Sequence, residues 1–107
     1  MNLQVRFDGL DHSEALIEHA QQKFDHVAEI FNNFQDPSSA LLIITKTKHD
    51  YSVELLLKAK GFNNNYKRTG TDVYTVVNEV MSIAFKETNK HKERNLDDLR
   101  KNSPRPN

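Results

Sequence analysis

The sequence predicts an α+β fold: a two-layer sandwich in the order β-α-β-β-β-α, with a four-stranded sheet and two helices packed on one of its faces. Three observations predict it. Leu3, Val5 and Phe7 alternate with Asn2, Gln4 and Arg6, and Val53, Leu55, Leu57 and Ala59 alternate with Glu54, Leu56, Lys58 and Lys60, the period of two expected of strands with one buried face. Two longer stretches repeat at three and four instead, the spacing of amphipathic helices. The chain has 107 residues, 36% of them hydrophobic, which suffices for one core and argues against a division into two.

In chain order, Gly9 ends the first strand. Leu16, Ile17, Ala20, Phe24, Val27, Phe31 and Phe34 then mark a long helix. Ser13 or Asp11 is its N-cap, because a short oxygen-bearing side chain there accepts a bond from an otherwise orphaned backbone N–H. Asn32, Asn33 and the run Asp36-Pro37-Ser38-Ser39 close it. Ala40 to Lys48, an apolar run that turns polar, reads as the second strand, and His49-Asp50-Tyr51 as a short loop into the third. Gly61 and Asn63 supply a turn into a fourth strand, Asn64 to Thr69, whose polar, Asn-rich character suits a sheet edge. Val73 to Phe85 favours strand by local propensity, yet Val73, Val76, Val77, Val80, Met81, Ala84 and Phe85 form one broad helical face, with Thr71 or Asp72 as cap. That helix runs on through polar sequence to Lys101, with Leu96 and Leu99 its only later apolar residues. Residues 1–101 are therefore expected to form a single domain, and 102–107 a mobile tail with nothing to pack.

Composition removes several function classes. The chain has no cysteine, so no disulfide framework, thiolate metal site or thiol nucleophile is expected. No stretch approaches the roughly 18 apolar residues that cross a bilayer, and the N-terminus lacks the basic-then-apolar order of a secretory signal. The expectation is a cytoplasmic protein without a membrane partner. No Gly-x-Ser-x-Gly, phosphate-cradling glycine loop or cluster of carboxylates with histidine is present, which argues against an enzyme and against a small-molecule substrate. His12, His19 and His26 recur every seven residues. Seven residues advance a helix by about 10.5 Å, whereas ring nitrogens must lie about 2.0–2.1 Å from one zinc ion, so they read as a solvated flank. No metal or other cofactor is expected.

Fifteen basic residues balance fifteen acidic ones, but unevenly. Residues 1–39 carry Arg6 and Lys23 against seven acidic groups, and residues 40–107 carry thirteen basic groups against eight acidic. Charges act over a Debye length of about 8 Å, so the neutral total does not exclude a basic face. Lys86, Lys90 and Arg94 stand at i, i+4 and i+8 on the second helix, with Lys92 beside them. Such a ridge suits a phosphate backbone; the plain alternative is a solubilising face in which Glu87, Glu93, Asp97 and Asp98 are local partners. Lys46, Lys48, Lys58 and Lys60 at strand ends, with Lys67 and Arg68 on the fourth strand, extend the set and favour one electropositive flank.

At Gly70-Thr71-Asp72-Val73-Tyr74-Thr75-Val76-Val77-Asn78-Glu79-Val80, followed by Lys86 and Lys90-His91-Lys92-Glu93-Arg94, the chain resembles the ribosome hibernation-promoting factor family, also called ribosome-associated inhibitors or sigma-factor modulation proteins. Ser13-Glu14-Ala15-Leu16, Lys23-Phe24 and the strand order are similar to the same family. The resemblance implies a factor of starvation or cold that binds ribosomal RNA in the messenger and transfer RNA channel of the small ribosomal subunit and inhibits translation. It implies RNA contacts by Lys86, Lys90 and Arg94, continued by Lys92, and adds Lys23. Ile83 and Glu29 stand where family members often carry lysine. The additional C-terminal dimerisation domain of long-form members is not expected.

Tyr74 is a candidate for stacking on a base, set against packing at the helix start. A rival reading makes the protein an interaction module or weak homodimer. Leu42, Ile44 and Leu56 share the parity of Lys46, Lys48, Lys58 and Lys60, so if those lysines face the open side of the sheet, the three apolar residues form an exposed patch there.

Overall fold

The computed structural model describes the backbone of residues 3–34, 37–59 and 61–102, and the side chains of residues 3–31, 39–59 and 61–92. Strand β1 (Gln4–Asp8), helix α1 (Glu14–Phe34), strands β2 (Pro37–Lys46), β3 (Tyr51–Ala59) and β4 (Phe62–Gly70), and helix α2 (Val73–Asn102) follow one another in the expected order. The sheet order is β1-β2-β3-β4, with β1 parallel to β2 and the other neighbours antiparallel. A parallel pair needs a crossover rather than a hairpin, and α1 supplies it.

Several boundaries differ from the sequence reading; Tyr51, read as part of a loop, opens β3. β2 begins at Pro37 rather than Ala40, because Pro37 and Ser39 lie opposite Ala59 and Lys58 and the long partner strand carries pairing into a turn-like composition, with an irregularity between Pro37 and Ser39. It ends at Lys46 because Thr47 turns the chain: both its amide and its Oγ1 donate to the Asp50 carbonyl, at 2.8 and 2.9 Å. β4 starts at Phe62, which pairs with Ala59 across a turn containing Gly61 at φ 76. At the C-terminal end, Asn102 is the last residue of α2 rather than the first of a tail, and the rest of that expectation, residues 103–107, lies outside the described residues.

Alternation decides the layers. Ala40, Leu42 and Ile44 of β2 and Val53, Leu55 and Leu57 of β3 are buried on one face, against Leu16, Ala20, Phe24, Val27 and Phe31 of α1 and Val76, Val77, Val80, Met81 and Ala84 of α2. Both outer strands add to this face, through Val5 and Phe7 on one side and Phe62 and Tyr66 on the other. The Phe62 ring lies edge-on to Phe31 at 5.4 Å and tilted over His91 at 4.8 Å, so one strand residue ties both helices together. Burying a Phe or Leu side chain contributes about 1.5–3 kcal/mol, so this face carries most of the stability.

Among the described residues, two polar atoms sit inside the core without a hydrogen-bond partner, Thr88 Oγ1 and Tyr66 Oη. Burial, reinforced by the Glu87 carboxylate and opposed by Asn64, pushes the Tyr66 phenol up to about 12. In the unfolded chain the same group titrates near 10. Above pH 10 the unfolded chain therefore releases a proton that the folded one keeps, and stability falls as pH rises to about 12. Tyr66→Phe should remove this component: the loss of urea-unfolding free energy between pH 9 and pH 11.5 should be smaller in the variant. An equal loss in both proteins would show that the phenol is solvated.

Gly9 turns the chain out of β1 at φ 76, and a Cβ there would stand 3.0 Å from the Lys46 carbonyl oxygen. Left-handed backbone costs an L-residue about 1–2 kcal/mol. Gly9→Ala should therefore lower the thermal midpoint by several degrees, measured by circular dichroism; an unchanged midpoint would contradict the close approach.

Candidate nucleic-acid interface

Both helices start with a capping side chain at the same end of the sheet. Ser13 Oγ accepts the Leu16 amide at 3.2 Å, which selects Ser13 over Asp11. Asp72 Oδ1 accepts the Tyr74 amide at 3.3 Å and Oδ2 the Thr75 hydroxyl at 2.8 Å, which selects Asp72 over Thr71. The helices then run side by side in the same direction. The His19 ring N–H reaches Asn78 Oδ1 at 2.7 Å and its ring stands edge-on to Tyr74 at 5.0 Å. One turn further along, Lys23 and His26 face Met81, Ser82 and Phe85 across a groove of about 430 Å³ that Asn78 also lines. Phe85, which its spacing assigns to the core face, is instead 39% exposed at this groove, as is Tyr74 at 39% near its start; they are the exposed large hydrophobic residues among those described. The packing role expected for Tyr74 is thus a ring contact with His19 that leaves part of the ring open.

The basic residues divide into groups instead of meeting on one flank. Lys86 is exposed on α2 and makes no ion pair among the described residues. Lys90 lies 3.7 Å from Glu87, a weak pairing because both are solvated. Four residues turn a helix by about 40° beyond a full turn, so Lys90 is rotated from Lys86 and borders a recess with Phe62, Asn63 and Asn64 of β4. Lys92 is half-buried on α2, and the Arg94 side chain lies outside the described residues, as does Lys60 altogether. Lys23 is exposed on α1 at the groove and pairs with no carboxylate among the described residues.

Register puts the other lysines elsewhere. Lys58 and Lys67 belong to the face turned away from the helices, because their pairs Ser39 and Glu54 alternate with the core residues. Arg68 has core-face parity opposite Val53 yet is exposed on the edge strand. Lys46 ends β2 with its ammonium 5.4 Å from the centre of the Tyr51 ring, and Lys48 is exposed in the following turn. The expectation of convergence is corrected: Lys23, Lys86 and Lys90 share the helical layer, and Lys58 and Lys67 share the opposite face.

The proposed apolar patch is corrected too. Leu42 and Ile44 are 0% exposed in the core. Lys46 has their parity but sits at the strand end, where core parity no longer means burial. Leu56 does lie on the open face, where it pairs directly with Leu41, and Ile43 stands between Arg6 and Glu54; all three apolar side chains are half-buried. His12 bonds Glu14 at 2.7 Å and stacks edge-on against Phe7 at 5.4 Å, while His19 bonds Asn78 and His26 lines the groove. Glu14, Glu18, Asp25 and Glu29 are exposed along the outward side of α1. None of these carboxylates lines the groove, and neither do Lys86 and Lys90 of α2; its one lysine among the described residues is Lys23.

The sequence carries the groove only in fragments. Lys23 and Tyr74 stand out as candidates by residue type and position, but Asn78 enters only as part of the Gly70-to-Val80 run, Phe85 reads as a core-face residue and Ser82 carries no motif; the seven-residue spacing of His19 and His26 is the one signal that they share a flank.

A family model described as "Sigma 54 modulation protein / S30EA ribosomal protein" matches residues 3–95. A search of curated proteins finds no match. Among solved structures, a ribosomal subunit interface protein from Coxiella burnetii is similar at TM-score 0.70 and 24% identity, covering 87% of this chain and 99% of the other. The N-terminal domain of Protein Y from Thermus thermophilus is similar at TM-score 0.71 and 14% identity, covering 85% of this chain and 99% of the other. At these identities the two structures speak for the fold.

Proposed function

The chain belongs to the Sigma 54 modulation protein / S30EA ribosomal protein family, and on that premise we propose that it is a cytoplasmic stress factor that occupies the messenger and transfer RNA channel of the small ribosomal subunit and silences translation there. The observation that carries the reading is the match of the family model over residues 3–95, which spans both layers and the basic part of α2. The structure offers the physical means: Lys23, Lys86 and Lys90 project from the helical layer of a rigid sandwich, and no ion pair stronger than a solvated one holds them among the described residues. Ribosomal RNA is a dense polyanion. A small body with cations on one layer binds it by releasing condensed counterions and needs no base-specific hydrogen bonds to do so. Occupation of the channel then excludes messenger and transfer RNA sterically, without catalysis. The acidic outward side of α1 repels phosphate, so RNA approaches from the α2 side.

The rival reading, self-association through the open sheet face, keeps Leu56 and gains Leu41 and Ile43, but loses Leu42 and Ile44 to the core. The remaining half-buried strip is interrupted by Arg6, Glu54 and Lys58, a poor basis for a stable sheet-to-sheet interface.

Binding to purified small subunits, measured across a salt series, tests the proposal. Removing one cation that touches a phosphate should reduce the slope of log affinity against log salt by about 0.7 to 0.9. A variant with Lys86, Lys90, Lys92 and Arg94 all changed to alanine should show a slope reduced by up to four such steps. An unchanged slope refutes the α2 assignment, and a salt-insensitive dimer that does not cosediment with the subunit favours the rival.

A further inference from the structure

We propose that the groove between α1 and α2 is a site for one unpaired RNA base, stacked on Phe85, with the adjoining phosphate held by Lys23; this deepens the ribosome reading and rests on it. Three observations converge on this spot. The groove measures about 430 Å³, within the size range of small-molecule sites. Its rim carries Phe85, a large ring left 39% exposed in a helix whose neighbouring apolar residues Met81 and Ala84 are buried. An exposed aromatic face is the element on which single-stranded RNA bases stack, whatever their sequence. Lys23 lines the same groove, exposed and free of carboxylate partners among the described residues, so a phosphate bound there meets an unquenched ammonium.

Asn78 supplies the polar recognition. Its Oδ1 is occupied by the His19 ring N–H at 2.7 Å, and that bond orients the amide so that its two N–H donors remain for a ligand. A base inserted beside Phe85 presents ring nitrogens and carbonyl oxygens to those donors. The Ser82 hydroxyl lines the groove as a second group able to donate or accept. The carboxylates Glu18, Asp25 and Glu29 lie on the outward side of α1 and do not line the groove, so the bound phosphate meets their repulsion only from the flank. This charge arrangement sets a polarity: the sugar-phosphate chain leaves the groove toward α2, where Lys86 stands.

The test uses the intact chain labelled with ¹⁵N, titrated with a single-stranded RNA hexamer and with a fully abasic hexamer of equal length. The RNA should shift amide resonances of residues 19–26 and 74–85, and the abasic chain should leave those of 78–85 unmoved. Phe85→Leu keeps the apolar bulk at a partly exposed position and removes only the aromatic face. It should weaken binding of the RNA hexamer about 5- to 150-fold, the range of one base stack, and leave the abasic chain unaffected. Equal shifts from both hexamers, shifts confined to other surfaces, or unchanged affinity of Phe85→Leu would overturn the proposal. Cosedimentation of the wild-type protein with small subunits separates the two ideas. Cosedimentation without a base-dependent shift in the groove overturns the base site alone, and a base-dependent shift without cosedimentation overturns the ribosome reading while the site stands.

Discussion

Leu42 and Ile44 from β2, with Val53, Leu55 and Leu57 from β3, have no exposed surface, and that one-sided burial governs the rest of the molecule. Side chains on a strand alternate, so once these five face the helices, every intervening residue of both strands is committed to the opposite face. The commitment propagates by register into β1 and β4. It places Lys58 and Lys67 behind the sheet, out of reach of the lysines on α2. A shift of one residue in either central strand would bury charge and expose the core, which is why no alternative pairing competes.

The same face positions the helices. Each contributes an apolar stripe to the shared core, α1 through Phe24, Val27 and Phe31 and α2 through Val76, Val77 and Val80, and the two helices also pack closely against each other. A polar and aromatic seam, His19 to Asn78 and His19 to Tyr74, lies along the outer edge of that contact. Above that contact the outer surfaces of the two helices leave a groove, and a ring on its rim is not fully covered. Phe85 is exposed for that reason, not because its sequence context is polar. Charge is distributed around this seam by helix geometry: the carboxylates of α1 point outward, opposite Phe24 and Val27, and Lys23 falls on the flank toward α2.

Electrostatics on this protein is therefore a matter of layers rather than of totals. Fifteen charges of each sign cancel in the sum, yet acidic groups dominate one exposed side of α1 while Lys86 and Lys90 stand on α2. A polyanion sees the local field within about 8 Å, so it meets a directional surface. Glu87 beside Lys90 does little to cancel this, because a pair exposed to water is screened on both members.

Local chemistry suffices for the elements: the alternation of Val53 to Ala59, the three-and-four spacing of Leu16 to Phe31, and capping oxygens before each helix all act between near neighbours. Those short-range rules leave two candidates for each cap, and packing chooses Ser13 and Asp72. Parity within β3 is legible, but linking it to β2 requires knowing where each strand ends and which lysines lie beyond the core; Lys46 misleads because a strand terminus escapes the face its parity assigns. The groove is invisible in the sequence for a different reason. His19 and Lys23 stand on one helix and Asn78 and Phe85 on the other, with a separation of 59 from His19 to Asn78, and no pattern in either segment refers to the other. Chain chemistry by itself determined the strands, the helices and the sign of charge each carries. Only the tertiary structure decided which of those charges share a face, because that depends on register and helix placement, which are set by the core as a whole.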